Sequence, residues 1–362
     1  MKESGIAIDA RMYQSSGIGT YLRGLIQGLQ NLDTTEFPIR LLGNPAILPQ
    51  SGWPIANAHS SIYSVREQFE IPYKLHKTKT KWLHSVHYNM PLLNPSHTVV
   101  TVHDLIHLKF PQYWPSPIAR AYAHFFFFHI IPRAGAILTV SEHTKRDLIE
   151  LLAIPAERIT VTYNAVDHNR FATRDAQGRS ALDRMGLPKD YFLYIGNLKE
   201  FKNVQRLVES YKQLKAQRRD IPSLVMVGRN FIPGFESLLS DTSGVQWIGE
   251  IDHERLPALY QHAMAFLFPS LYEGFGLPPL EAMASGTPVM CSNRASLPEV
   301  VGDAALMVDP ENSEAMMAAM TRLIDDASLR SELSAKGLKR AATFSWDRLA
   351  AQTLAVYKRC LS

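Results

Sequence analysis

The 362-residue chain is 46% hydrophobic and has no run of 18 apolar residues, so it can bury sizeable cores, has room for two domains and carries no stretch that would span a bilayer. A net charge of +4 argues against a dedicated nucleic-acid binder, and two distant cysteines, Cys291 and Cys360, without metal-ligand spacing fit a reduced cytosolic setting. The charge excess is N-terminal: residues 1–172 hold 16 Lys+Arg against 12 Asp+Glu, while the remainder is balanced.

Met1-Lys2-Glu3-Ser4 passes straight into a strand-like run, Gly5 to Ala10 (GIAIDA), without the apolar core of a signal peptide. A Ser/Gly-rich loop, Arg11 to Thr20, follows, then a helix from about Tyr21 to Leu32. A glycine loop between strand and helix admits a phosphate close to the backbone, which makes Gly17 and Gly19 candidate ligand contacts. As a dinucleotide fingerprint the segment fails, because Leu22 stands at the third glycine position and no acid follows at the expected distance. Between Phe37 and Pro95 the pattern is irregular. Within it Lys74, Lys77, Lys79 and Lys81, interleaved with His76 and followed by Trp82, read either as a solvated surface or as an attraction to anionic lipid head groups or a polyprenyl-phosphate-linked acceptor.

Trp82 to Val86 reads as a strand trailed by His84 and His87, softer candidates for the acceptor side. Thr98 to His103 (TVVTVH) has the β-branching of a central parallel strand, and its carboxyl end carries His103 and Asp104, where open α/β sheets gather functional groups. Ile118 to Ala134, with four consecutive phenylalanines, reads as a buried helix, Ala136 to Ser141 as a strand, and Ser141 as the cap of a helix over Lys145 to Leu152. The polar stretch Arg170 to Ser180 reads as a linker. Beyond it the alternation restarts: strands at Tyr191 to Ile195, Leu224 to Val227 and Val245 to Ile248, with helices at Val204 to Gln217 and Arg255 to His262. The first of these strands ends in Gly196-Asn197 and leads to Lys202, a cation suited to a diphosphate.

The stretch Phe266 to Ser292 reads as strand, glycine-bearing loop, helix opened by Pro278-Pro279, and strand. Glu273 lies in its loop and Glu281 in the expected first helical turn, with Gly274, Phe275, Gly276 and Leu277 between them. Backbone amides and the positive end of a helix favour an anion there, and a carboxylate on either side is suited to sugar hydroxyls. Phosphate in the middle and hydroxyls at both ends describe a nucleotide sugar. After it come a loop with Pro298-Glu299-Val300, two helices to about Ala342, and a last helix, Arg348 to Leu361.

The string EGFGLPPLEAMASGTPV, from Glu273 to Val289, resembles the donor-site motif of glycosyltransferase family 4, two glutamates separated by seven residues. DAR…GIGTYLRGL, VTVHDLIH, the NAVD of Asn164 to Asp167 and GNLKEFKN resemble further segments of that family, so the likeness covers nearly the whole chain. It implies an α/β protein of GT-B fold: two facing Rossmann-like domains, 1–172 and 173–344, with the 345–362 helix returning to the first and a nucleotide-sugar donor between them. It implies a retaining hexosyltransferase acting on a saccharide or lipid-linked saccharide, with His103, Glu273 and Lys202 as catalytic groups, Glu281 on the ribose, and Asn197, Lys202 and the glycine segments on the diphosphate. The family often has arginine where Asn197 stands, which leaves Arg229 or another residue to supply the second charge. The style of these motifs is similar to bacterial polysaccharide and lipopolysaccharide mannosyltransferases, which points to GDP-mannose. No Asp-x-Asp motif falls in the expected loops, so neither an obligatory Mg²⁺ nor another cofactor is expected. Expected partners are the sugar donor, the acceptor and, peripherally, the inner face of an anionic membrane. The rival readings are a nucleotide-sugar epimerase of similar architecture and a non-catalytic nucleotide-sugar-binding protein.

Overall fold

Apolar, β-branched runs at regular spacing give two separate parallel sheets. The computed structural model describes residues 5–93, 95–113, 116–172, 178–240 and 243–362; Met1 to Ser4 and residues 173–177 of the expected linker lie outside them. The contacts divide the chain into two units, Met1–Ala165 with Ser345–Ser362, and Val166–Phe344.

The first unit contains β1 (Ile6–Asp9), β2 (Ile39–Gly43), β3 (Ile55–Asn57), β4 (Trp82–Ser85), β5 (Thr98–Val102), β6 (Ala136–Thr139) and β7 (Ile159–Val161), in the order β3-β2-β1-β4-β5-β6-β7. All pairings are parallel, and β5 is buried along its whole length, as its Thr-Val-Val-Thr-Val sequence requires of a strand covered on both faces. The strand order reverses between β1 and β4, so the loops leaving these two strands diverge. Val100, Ile137 and Leu148 pack with Phe126 and Phe127 beside the sheet. The helix expected over 118–134 is broken into an α-helix Pro117–Phe125, a π-turn Phe126–Ile130 and a 3-10 turn Ile131–Arg133. Successive helical residues advance by about 100°, so four phenylalanines in a row cannot all face one core. Phe126 and Phe127 are buried, while Phe125 and Phe128 are exposed.

Ser141 caps the helix Glu142–Leu152, accepting from the Thr144 amide at 3.0 Å. The helix Ile18–Gln30 begins three residues before the expected start, which puts Gly19 inside its first turn. The final helix, Trp346–Leu361, belongs to this unit and crosses it at Gly24 and Gly28. A Cβ on Gly24 would lie 2.1 Å from the Trp346 indole, so only a bare backbone lets the two helices approach.

The second unit contains β8 (Tyr191–Ile195), β9 (Ser223–Val227), β10 (Val245–Trp247), β11 (Ala265–Phe268), β12 (Val289–Ser292) and β13 (Leu306–Val308), again all parallel, in the order β10-β9-β8-β11-β12-β13. Its reversal point lies between β8 and β11. Pro298 and Glu299, expected in a loop, stand in a short helix, Leu297–Val301, because Leu297, Val300 and Val301 are buried there. The start of the polar stretch, Arg170 to Ala172, is held in place. The helix His168–Ala172 lays Phe171 against Tyr260, ring centroids 5.9 Å apart, and Gln261 donates to the Phe171 carbonyl. The contact division therefore falls at Ala165/Val166, before the residues whose polarity suggested a linker. Among the described residues no helix is long and apolar enough to cross a membrane.

Candidate active site

The loops leaving β8 and β11 lie side by side because these strands are neighbours, and hydrogen bonds join them. Leu271 N donates to the Phe201 carbonyl at 2.8 Å, and Ser270 Oγ donates to the same carbonyl at 3.3 Å. Asn203, buried and in the left-handed region at φ 59°, donates from its side chain to Pro269 O at 3.2 Å and to Pro310 O at 2.6 Å. This framework brings together the two residues that the sequence set 71 positions apart: Lys202 Nζ and Glu273 Oε1 form an ion pair, the side chains only 17% and 13% exposed. Tyr194, wholly buried near the end of β8, supplies a hydroxyl that finds no hydrogen-bond partner among the described residues. Burial, reinforced by the Glu273 charge, holds that hydroxyl well above its ordinary pKa. Sequence reasoning missed Tyr194; its signal is a second tyrosine in an otherwise apolar strand, two residues before Gly196.

Gly276 begins the helix Leu277–Ala284 at φ 109°, and a Cβ there would meet Leu297 at 2.7 Å, so the position takes glycine on both counts. Ser296 pins the loop by donating to the carbonyls of Glu273 at 2.9 Å and Phe275 at 2.8 Å. The Phe275 ring is buried edge-on against Phe344, which leaves its backbone, with that of Gly274, Gly276 and Leu277, as the part able to meet a ligand. Pro278 and Pro279 carry no N–H and Leu280 N donates to Gly276 O, so the amides this helix start offers are those of Gly276 and Leu277, and the helix dipole adds to their positive potential.

Glu281 corrects an expectation: it lies in the second helical turn, because the helix begins at Leu277. Its Oε2 accepts from the buried Tyr260 hydroxyl at 2.9 Å. Burial pushes its carboxyl up to about 7, against the opposing pull of Tyr260 and the Arg170 charge. The group therefore titrates near neutral pH.

Asn197 stands half-buried after β8. Near it Lys199 Nζ lies 5.7 Å from the Phe201 ring and 5.3 Å from the Phe231 ring, while Lys202 shares the Phe201 ring at 5.4 Å. Arg229 lies 5.2 Å over Phe231. Lys199 thus stands one phenyl ring from Lys202, and Arg229 one ring further out.

In the first unit, His103, His87 and Asp104 sit at the carboxyl ends of β4 and β5. His103 donates from Nε2 to the Val86 carbonyl at 2.9 Å and meets Tyr21 edge-on at 4.9 Å. Burial drives its pKa down to about 4, with the Val86 bond opposing, so the imidazole is neutral with Nδ1 as acceptor. His87 reaches the Tyr63 hydroxyl at 3.2 Å and is pushed down to about 3, by burial and then by His103 and His107. Asp104 accepts from the Ile106 amide at 3.0 Å. His84 is a correction: it is fully buried, bonded through Nδ1 to Tyr357 and through Nε2 to Thr101 at 2.8 Å, and serves the packing of the final helix instead of an acceptor. Gly17 leads into the helix Ile18–Gln30 with open space where a Cβ would point, whereas Gly19 packs against the carbonyls of Met12 and Tyr13. The loop holding them is anchored by a residue noted in the sequence only as part of the DAR segment, without a role. Arg11 lies between Asp9 (2.6 Å) and Glu67 (3.0 Å), three nearly buried charges at the sheet's reversal point. Among the described residues no three His, Cys, Asp or Glu side chains converge as a metal site.

Residues 15–170 match the model described as Glycosyltransferase Family 4, and residues 185–340 match Glycosyl transferases group 1. The Escherichia coli O-antigen chain mannosyltransferase B is 36% identical over 269 residues, covering 72% of this chain and 70% of that protein. The chain belongs to glycosyltransferase family 4. The E. coli serotype-specific mannosyltransferase WbdA is 31% identical over 287 residues, 74% of this chain, and the aligned part spans 34% of that longer relative. The solved structure of Anabaena Alr3699/HepE in complex with UDP-glucose superposes with a TM-score of 0.76 at 15% identity, covering 98% of this chain and 99% of that one. The two parallel sheets, of seven and six strands, are the Rossmann-like halves of the GT-B fold, and this member of the family is a glycosyltransferase.

Proposed function

We propose that this glycosyltransferase moves a mannosyl residue from GDP-mannose to a hydroxyl of a saccharide or lipid-linked saccharide, with retention at the anomeric carbon. The observation that carries the donor reading is the Lys202–Glu273 pair at the β8/β11 reversal point, beside the helix start at Gly276. The similarity to the two E. coli mannosyltransferases supports mannose, and the likeness in fold to HepE with its UDP-glucose supports a nucleotide-sugar donor.

In this reading the donor separates the pair. Lys202 turns to the diphosphate and Glu273 accepts hydrogen bonds from hydroxyls of the transferred sugar. As the anomeric C–O bond breaks, negative charge grows on the departing diphosphate, where Lys202 and the amides of Gly276 and Leu277 stabilise it. The acceptor oxygen forms the new C–O bond, and its proton passes to the leaving phosphate. Neither glutamate forms a covalent intermediate. Ionised Glu281 holds the ribose hydroxyls. His103, neutral with a free acceptor nitrogen, orients a hydroxyl of the sugar, and His87 and Asp104 are assigned to the acceptor side. Charge neutralisation falls to the chain's own cations and amides, so transfer is expected to persist in excess EDTA.

A thermal-shift panel of GDP-, UDP- and dTDP-sugars, followed by mass spectrometry and anomeric NMR of products with mannosylated acceptors, tests the proposal. Selective stabilisation by GDP-mannose and an α-linked product are expected. Selective response to a UDP-sugar overturns the donor, and a rearranged nucleotide sugar formed without acceptor overturns transfer itself.

A further inference from the structure

Strand β8 carries two tyrosines, Tyr191 and Tyr194, set on opposite faces because side chains alternate along a strand. Both are wholly buried. The Tyr191 hydroxyl donates to the Leu259 carbonyl at 2.8 Å, as buried donors ordinarily do. The Tyr194 hydroxyl finds no such partner among the described residues. A buried donor left idle destabilises the fold, so its presence calls for a state in which it is used.

Its surroundings indicate which state. The Tyr194 ring stacks on Phe268, centroids 6.1 Å apart with 18° between the planes, and Lys202 Nζ lies 5.4 Å from the same Phe268 ring. The tyrosine thus stands one ring from the ammonium that pairs with Glu273. A Cβ on Gly196 would lie 3.1 Å from the Tyr194 hydroxyl, with atoms of that tyrosine as its three nearest neighbours, so the glycine after β8 keeps a side chain out of the space beside the hydroxyl. Burial first, and then the Glu273 charge, keep the phenol protonated, which is the form that donates.

While Lys202 and Glu273 are paired, the carboxylate has its cation. The inference rests on the donor reading proposed above, in which a bound diphosphate draws Lys202 away and leaves a carboxylate only 13% exposed without that cation. A charge so placed is costly unless a hydrogen bond replaces the lost partner. We propose that Tyr194 supplies the replacement: its O–H turns to the Glu273 carboxylate when the diphosphate takes Lys202, and holds that carboxylate in place for the hydroxyls of the transferred sugar. Tyr194 is then a positioning residue, acting through Glu273 and touching neither sugar nor phosphate. Two arrangements exchange: lysine on glutamate with the tyrosine idle, or lysine on phosphate with the tyrosine engaged.

Calorimetry of GDP and of UDP with the full chain tests this. Tyr194→Phe should weaken binding of the nucleotide that the wild type takes by about tenfold, while its melting temperature without nucleotide stays at or above the wild-type value, since only an idle hydroxyl is removed. Glu273→Gln keeps the shape of the side chain and removes the charge, so Tyr194→Phe/Glu273→Gln should match Glu273→Gln alone within about twofold. In protein isotope-labelled at tyrosine Cζ, the NMR resonance missing from Tyr194→Phe should move when that nucleotide is added to the wild type. Wild-type affinity in Tyr194→Phe, the same loss in the Gln background, or a stationary Tyr194 resonance overturns the proposal. Lys202→Ala separates it from the donor reading beneath: weakened binding there keeps that reading whatever Tyr194 does, whereas wild-type affinity, or a wild type that binds neither nucleotide, overturns both.

Discussion

Lys202 and Glu273 neutralise each other, and on the proposed reading a donor separates them, so each is expected to matter through the ligand more than through the fold. Lys202→Ala and Glu273→Ala should each lower kcat/KM by about 100-fold or more with an unchanged circular dichroism spectrum. Near-normal turnover in both would remove the site assignment. Glu281 adds a pH dependence. Its folded pKa, about 7, is raised above the unfolded value, so it binds a proton between pH 4.5 and 7 that the unfolded chain has released. That contribution to stability is full below pH 4.5 and lost as pH rises through 7. Glu281→Gln, which keeps an acceptor for Tyr260, should therefore gain Tm relative to wild type by on the order of 5 °C between pH 5 and pH 8. The donor KM of the wild type should fall over the same rise, as the carboxylate forms for the ribose hydroxyls, and the Gln variant should lose that step. A flat wild-type profile would show that Glu281 does not titrate there. The second cation is also a matter of single residues. Lys199 shares the Phe201 ring with Lys202, whereas Arg229 stands on the farther Phe231. Lys199→Ala should weaken nucleoside-diphosphate binding about tenfold by calorimetry, Arg229→Ala less, and Asn197→Arg should restore the Lys199→Ala loss.

At the scale of elements, helix contacts depend on what is missing from the sequence as much as on what it contains. Gly24 and Gly28, one turn apart, make the notch in which Trp346 and Ala350 of the final helix sit. Gly24→Ala improves helix propensity by about 1 kcal/mol, yet its methyl would overlap the indole, and overpacking costs about 1–3 kcal/mol. The expected result is a lower Tm, recovered in Gly24→Ala/Trp346→Leu; a raised Tm in the single variant would show that the two helices separate readily. These relations also mark what could be read from the chain. The strands were legible because a strand covered on both faces leaves a continuous apolar signature, as in Tyr191–Ile195, whose bounds match the expectation. The cap at Ser141 was legible, yet its helix begins at Glu142, three residues before the expected Lys145, as the helix after Gly17 begins three before Tyr21 and the one after Gly276 one before Pro278. Lys202 and Glu273 could be named from their loops. His84 looked as accessible as His87, because its burial comes from Tyr357, 273 residues away. Tyr260 and Arg11 carry no local signal either, since their importance lies in partners that only the fold supplies.

For the whole molecule, two sheets each reverse strand order once, and each reversal point gathers a different kind of chemistry. In the second unit the gathered groups are a lysine, helix-start amides and two acids, suited to phosphate and sugar hydroxyls. In the first unit they are neutral histidines, tyrosines and Asp104, which supply hydrogen bonds, while the positive charge of Arg11 is held between Asp9 and Glu67. Nucleotide affinity should therefore reside in one unit and turnover should require both. Binding to the folded state alone raises stability by about 2.7 kcal/mol at a ligand concentration 100 times Kd, which a melting curve resolves easily. His103→Ala should keep the full stabilisation by the matching nucleoside diphosphate while lowering turnover by about 100-fold. Lys202→Ala should lose both. If His103→Ala also abolished the nucleotide-induced shift, with an unperturbed melting temperature in the absence of nucleotide, the division of labour between the two reversal points would be wrong: nucleotide binding would then draw on groups from the first sheet as strongly as on the second.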